Sequence, residues 1–152
     1  MKKQRKQLYI AYGSNLNRDQ MEWRCPTANP IAVSCLNDYK LVFQGRYHGA
    51  HANVIPSEGD SVPVVVWEIT PEDERALDRY EGVAGGYYTK EYMKVEVNGK
   101  MEEAIIYIMT PHGYGIPRDF YLEVIVQGYR DFNLDARPLN RAVIEARKEA
   151  IA

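Results

Sequence analysis

Asn98-Gly99 stands between two runs of strand-forming residues, and no other feature restricts the folding of this chain as much. The dipeptide suits the two positive-φ positions of a tight type I′ turn, whose twist matches that of two antiparallel strands. Within Tyr87 to Val97, Met93, Val95 and Val97 alternate with Lys94 and Glu96, so one face of the strand is apolar and the other polar. Lys100 to Thr110 supplies the partner strand. An antiparallel hairpin combined with helices that do not follow a regular βαβ alternation predicts an α+β domain.

Further strands are expected at about Leu8 to Tyr12, Ala32 to Gln44, about Ala52 to Ile55, and Val62 to Ile69, the last a β-branched run suited to full burial. Thr70-Pro71-Glu72-Asp73 is a helix start: Thr caps, Pro fits the first helical position, and the acidic residues complement the positive end of the helix dipole. That helix should run to Tyr80-Glu81 and stop at Gly82. A short helix follows Asn17, with Gln20 spaced as in a capping box. Two more are expected at about Arg118 to Asp131 and Pro138 to Ala150, where Leu139, Val143 and Ala146 recur at helical spacing. The preferred form is a small mixed, strongly curved β-barrel of about six strands with peripheral helices.

A chain of 152 residues has the length of one domain and can bury a core without disulfides or metals. The expected division is a flexible basic N-terminus at 1–7, including Lys2, Lys3, Arg5 and Lys6, followed by a single domain at 8–152. A formal net charge of −2, with both signs interspersed beyond residue 6, supplies no field for nucleic acid. No apolar run is long enough to cross a bilayer, so no membrane partner is expected. Cys25 and Cys35 lack the spacing of a zinc or redox pair and read as free, part-buried thiols of a cytoplasmic protein. His48 and His51 lie three apart with no carboxylate close in sequence, and no metal or other cofactor is expected.

The chemistry concentrates in two places. Tyr12-Gly13-Ser14-Asn15-Leu16 joins the apolar run Leu8-Tyr9-Ile10-Ala11 to a helix, and such a strand-to-helix turn leaves backbone N–H groups pointing into one small space. Gly13 there should either take a positive φ or let a ligand approach closely, while Ser14 and Asn15 add short side-chain donors. The second place is Glu81, a carboxylate at the negative end of a helix dipole, where it costs about 0.3–1 kcal/mol. If Glu81 is also partly buried, both effects raise its pKa toward the range of a general base; exposed, it would pair with a cation such as Arg79 or Lys90.

Taken together, Tyr12-Gly13-Ser14-Asn15-Leu16 and Leu77-Asp78-Arg79-Tyr80-Glu81-Gly82-Val83 resemble the γ-glutamylcyclotransferases. The resemblance continues through Val65-Val66-Trp67, Tyr107-Ile108-Met109-Thr110, Pro117, Tyr121 and Gly128, and spans about Leu8 to Leu134. It implies a small β-barrel with peripheral helices and an enzyme that cyclises a γ-glutamyl group to 5-oxoproline with release of an amine or amino acid. It further implies Glu81 as the acid/base, Tyr12, Gly13, Ser14, Asn15 and Leu16 as the substrate-binding loop, and Tyr121 as a substrate contact.

In that reaction the substrate's own α-amine is the nucleophile, so neither a protein nucleophile nor a metal is needed. The protein must hold amine and carbonyl together and move one proton. Whether the Gly13-Ser14-Asn15 turn binds the substrate carboxylate or the developing oxyanion is open. Glutathione, γ-glutamyl amino acids, γ-glutamyl-ε-lysine and γ-glutamyl-protected intermediates share the reacting part, and the sequence does not choose among them. The rival from another class is a module that binds glutamyl or pyroglutamyl groups without turnover. A Ser14 hydrolase lacks the Gly-x-Ser-x-Gly elbow. The hairpin edge between Tyr87 and Thr110 offers a surface for a homodimer.

Overall fold

The computed structural model describes residues 6–110 and 112–151, so the basic run at 1–5 lies outside the described residues. The chain order is β1 (Gln7–Ala11), a single 3-10 turn (Ser14–Leu16), α1 (Arg18–Arg24), β2 (Asn29–Gln44), β3 (His51–Ile69), α2 (Pro71–Tyr80), β4 (Tyr88–Val97), β5 (Lys100–Met109), α3 (Asp119–Asp131) and α4 (Arg137–Ala150).

The strands form one mixed sheet in the order β2-β3-β1-β5-β4. β1 is antiparallel to β3 and parallel to β5, which places the first strand at the centre of the sheet, between two hairpins. The β4–β5 hairpin closes at Asn98-Gly99 with φ of 51° and 88°, the positive pair that the dipeptide predicts. β2 and β3 form the longer hairpin, with register shifts between Pro30 and Ala32 and between Asn37 and Tyr39 that bend it. The edge strands β2 and β4 come into contact without sharing a ladder, so the sheet is strongly curved.

Five strands replace the expected six, because Ala52–Ile55 and Val62–Ile69 belong to one continuous 19-residue strand. The polar stretch Ser57 to Ser61 between them reads as a break in sequence, but it stays paired to β2 and extends the hairpin into solvent. Val62 and Val64–Trp67 are buried, as a strand flanked on both sides in the sheet and covered by helices requires.

α4 packs on β2 and β3 through Leu139, Ala142 and Ala146, and α3 packs on the turn after β1 through Ile125 and Gly128. Cys25 is buried, whereas Cys35 is exposed on β2 and not part-buried: its strand position alternates outward. No described helix is long and apolar enough to cross a membrane.

Candidate active site

The central strand β1 delivers the first part of the site. Beyond Ala11 the chain leaves the sheet at Tyr12-Gly13 and winds one turn, in which the Leu16 N–H donates to the Gly13 carbonyl (3.0 Å) and the Asn17 N–H to that of Ser14 (3.1 Å). Asn17 then caps α1, its Oδ1 accepting from the Gln20 N–H at 2.9 Å. The N–H groups of Ser14 and Asn15 open the turn and take no protein acceptor among the described residues.

Side chains fix this turn from several directions. The Tyr12 hydroxyl donates to the Tyr107 carbonyl (2.5 Å), Ser14 Oγ lies 3.1 Å from the Tyr80 hydroxyl, and Asn15 Nδ2 donates to the Tyr9 hydroxyl (2.9 Å). Arg24 on α1 donates to Asn15 Oδ1 and to Gln20 Oε1, and its guanidinium stacks over the Tyr80 ring with Cζ 3.3 Å from the centroid.

Two expectations about this turn need correction. Gly13 has φ −126°, so no positive φ requires the glycine. Its reason is steric: a Cβ there would lie 3.1 Å from that of Ala52 and 3.7 Å from the Tyr121 hydroxyl. Leu16, expected to bind substrate, is fully buried and does not line the pocket, because the 3-10 turn points it toward α3, where Gly128 meets it.

The second part arrives on α2. Thr70 and Asp73 form a full capping box at its start, with Asp73 also held by the Thr27 hydroxyl at 2.7 Å. The helix ends at Tyr80, Glu81 is its C-cap with its N–H on the Leu77 carbonyl (2.8 Å), and Gly82 turns the chain away at φ +65°. Glu81 therefore does sit at the negative end of the helix.

Its carboxylate lines the same pocket as Tyr12, Gly13, Ser14, Asn15 and Tyr121, in spite of the sequence distance. The pocket measures about 110 Å³. Burial pushes the Glu81 carboxyl up to about 7, and the Arg24 guanidinium opposes that rise. No described residue pairs with it as an ion pair, so the alternative of an exposed Glu81 bound to Arg79 or Lys90 does not hold; Lys90 instead pairs with Glu74 and Asp78.

Aromatic residues supply most of the remaining wall. Seven of the twelve tyrosines line the pocket: Tyr9, Tyr12, Tyr80, Tyr87, Tyr88, Tyr107 and Tyr121. Burial raises the phenols of Tyr9, Tyr12, Tyr88 and Tyr121, and the nearby Glu81 charge raises them further, so they stay protonated donors. The Tyr121 hydroxyl accepts the Ala52 N–H at 2.9 Å, and that of Tyr88 donates to the Ala52 carbonyl at 2.6 Å.

Of these tyrosines only Tyr12 and Tyr121 are singled out in the sequence; Arg24 and His51 were not assigned to a site either. The high tyrosine count was the available signal, but strand tyrosines are equally at home in a core. Among the described residues no cluster of His, Cys, Asp and Glu converges as a metal site.

Comparison with known proteins agrees with the geometry. The family model described as Gamma-glutamyl cyclotransferase, AIG2-like, matches residues 9–123. The γ-glutamylcyclotransferases of Mus musculus and Homo sapiens are 37% and 36% identical over 135 residues, which is 84% of this chain and 72% of theirs. A solved γ-glutamyl cyclotransferase structure superposes with a TM-score of 0.78 at 30% identity, covering 94% of this chain and 87% of its own. The chain belongs to the γ-glutamyl cyclotransferase, AIG2-like family.

Proposed function

We propose that this chain cyclises the γ-glutamyl part of its substrate to 5-oxoproline and releases the attached amine, with Glu81 as the proton shuttle. The observation that carries this reading is a carboxyl raised to about 7 in the same pocket as the free N–H groups of the Ser14-Asn15 turn. A base titrating near neutral pH can accept a proton and return it at comparable rates.

The Glu81 carboxylate takes a proton from the substrate's α-ammonium. The freed amine attacks the γ-carbonyl carbon, and the tetrahedral intermediate collapses by breaking the bond to the leaving nitrogen, which receives the proton from Glu81. Folding the glutamyl chain so that amine and carbonyl meet supplies most of the entropy advantage. The N–H groups of Ser14 and Asn15 bind negative charge on the substrate, and the Tyr121 hydroxyl, which accepts from Ala52, keeps its own proton free to donate. Every bond made or broken lies in the substrate.

Arg24 holds both Asn15 and the ring of Tyr80, the neighbour of Glu81, and draws the Glu81 pKa down. In Arg24→Gln the acid limb of the rate profile should therefore move to higher pH, so that activity falls more at pH 6 than at pH 8.5. Arg24→Lys, which keeps the charge, should retain more of the parent profile. The profile of 5-oxoproline formation between pH 5 and 9 checks this.

Product analysis tests the reaction itself. Purified protein given γ-glutamylalanine should yield 5-oxoproline and alanine, and N-acetyl-γ-glutamylalanine should be inert because its nitrogen no longer attacks. Free glutamate as the product, with the acetylated compound accepted, would point to a Ser14 hydrolase and overturn the proposal. A pure binding module would leave both compounds intact.

A further inference from the structure

We propose that the cavity beside the Glu81 pocket, rimmed by Arg46 and Arg118, is a subsite for a carboxylate carried by the leaving amine. The inference rests on the cyclotransferase reading and narrows its substrates to γ-glutamyl amino acids or γ-glutamyl peptides, in preference to γ-glutamyl derivatives of neutral or cationic amines.

The two spaces adjoin. The neighbouring cavity, of about 340 Å³, shares His51, Tyr87 and Tyr121 with the Glu81 pocket and adds Arg46, His48, Gly49, Ala50 and Arg118. A substrate whose glutamyl part occupies the first can extend its leaving group into the second.

The charge pattern is that of an anion site. Among the described residues, Lys40, Lys90, Arg137 and Arg141 each have a carboxylate partner, whereas Arg46 and Arg118 are in no ion pair. Two unpaired guanidiniums facing one cavity are unusual on a chain of net charge −2, and planar guanidinium donors match a carboxylate.

The backbone also makes room for one of them. Gly49 has φ +90°, and a Cβ there would lie 2.9 Å from Arg118 Nε, so the chain at Gly49 is shaped around the guanidinium. The isolated bridge between His48 and Ile116 ties this loop to the segment that precedes Arg118.

Between the arginines and Glu81 stands Tyr87, whose hydroxyl is 2.6 Å from His51 Nδ1. Arg46 and Glu81 act on the Tyr87 phenol with opposite sign, which sets it between the cationic rim and the base. Burial and both arginines hold His51 toward its neutral form, so the positive charge of the subsite is that of the guanidiniums. A zwitterionic substrate thus meets complementary charge at each end: its ammonium near Glu81 and its distal carboxylate near Arg46 and Arg118.

The test compares γ-glutamylalanine and γ-glutamylalanylglycine with their C-terminal carboxamides and with γ-glutamylputrescine, reading kcat/KM for 5-oxoproline release. The parent should prefer at least one acid over its amide by about tenfold or more, and should use the cationic compound least. Which acid shows the larger preference identifies whether the carboxylate belongs to the first released residue or to the end of a dipeptide.

In Arg46→Ser/Arg118→Ser the acid-to-amide ratio should fall toward one, mainly through KM, and Arg118→Glu should shift preference toward γ-glutamylputrescine. A ratio is unaffected by partial loss of folded protein, so instability of a variant does not blur the result. Equal use of acid and amide by the parent, or an unchanged ratio in the arginine variants, would overturn the subsite. Absence of 5-oxoproline from every compound would instead overturn the cyclotransferase reading, and the subsite with it.

Discussion

Glu81→Gln is expected to lower kcat for 5-oxoproline formation by about 10²–10⁴-fold, and further if one group serves both proton transfers, while an unreactive γ-glutamyl analogue still binds. The substitution keeps the shape of the side chain and removes only its ability to accept a proton. Binding of the anionic analogue should hold or tighten as negative charge leaves the pocket. Calorimetric titration beside turnover measurements separates the two effects, and near-parental turnover by the variant would remove Glu81 from the chemistry.

The same substitution carries a stability signature of opposite sign. Burial raises the Glu81 carboxyl from its usual 4.5 to about 7, so the folded protein holds a proton that the unfolded chain gives up at lower pH. Relative to a neutral side chain, Glu81 therefore loses the fold stability as pH rises from about 4.5 to about 7, with the full loss present above that window. Glutamine does not ionise. Glu81→Gln should be more stable than the parent at pH 8, by at most about 3 kcal/mol, and indistinguishable from it near pH 4. A variant that is less active and more stable marks a group kept for reactivity.

Gly128→Ala should unfold more easily and lose activity together with stability. A Cβ at Gly128 would lie 2.6 Å from Leu16 Cβ and 2.8 Å from the Asn17 nitrogen and the Leu16 carbonyl carbon, and two of those three atoms are backbone. Alanine gains about 1 kcal/mol in helix propensity, but forcing α3 away from the turn costs about 3 kcal/mol. The net loss of about 2 kcal/mol corresponds to a fall in Tm of about 4–8 °C. Because the displaced atoms adjoin Ser14 and Asn15, KM should rise even at temperatures where the variant stays folded. Thermal melts and kinetics on one preparation check both parts; unchanged Tm would mean that the helix and the turn are not in the close contact described.

Much of this site was legible in the sequence because its two parts are marked locally. A glycine-containing turn after an apolar strand, and a carboxylate at the wrong end of a well-capped helix, each break or satisfy rules that act within a few residues. The helix from Thr70, the Asn98-Gly99 hairpin and the Asn17 cap follow from the same short-range chemistry.

What the sequence hid is long-range. Arg24 reaches the site because α1 folds back so that its last turn meets Asn15 and Tyr80, a contact with no periodic signature. His51 looked like half of a metal pair by its spacing from His48, but the start of β3 carries it to Tyr87 and Tyr121. Leu16 belongs to the motif by sequence and to the core by structure, since one 3-10 turn rotates it away from the pocket that its neighbours line. The polar residues between Ile55 and Val62 hid a continuous strand, because a hairpin that projects beyond the core needs no apolar face there.

The central claim, that a carboxyl raised to neutrality by this pocket is the proton shuttle, is tested most directly by the pH dependence of kcat/KM for 5-oxoproline release from γ-glutamylalanine. In the parent the acid limb should rise tenfold per pH unit and level off with a midpoint at about 7, and the residual rate of Glu81→Gln should show no such limb. A parent midpoint near the ordinary carboxylate value of about 4.3, or a limb that persists unchanged in Glu81→Gln, would contradict the account.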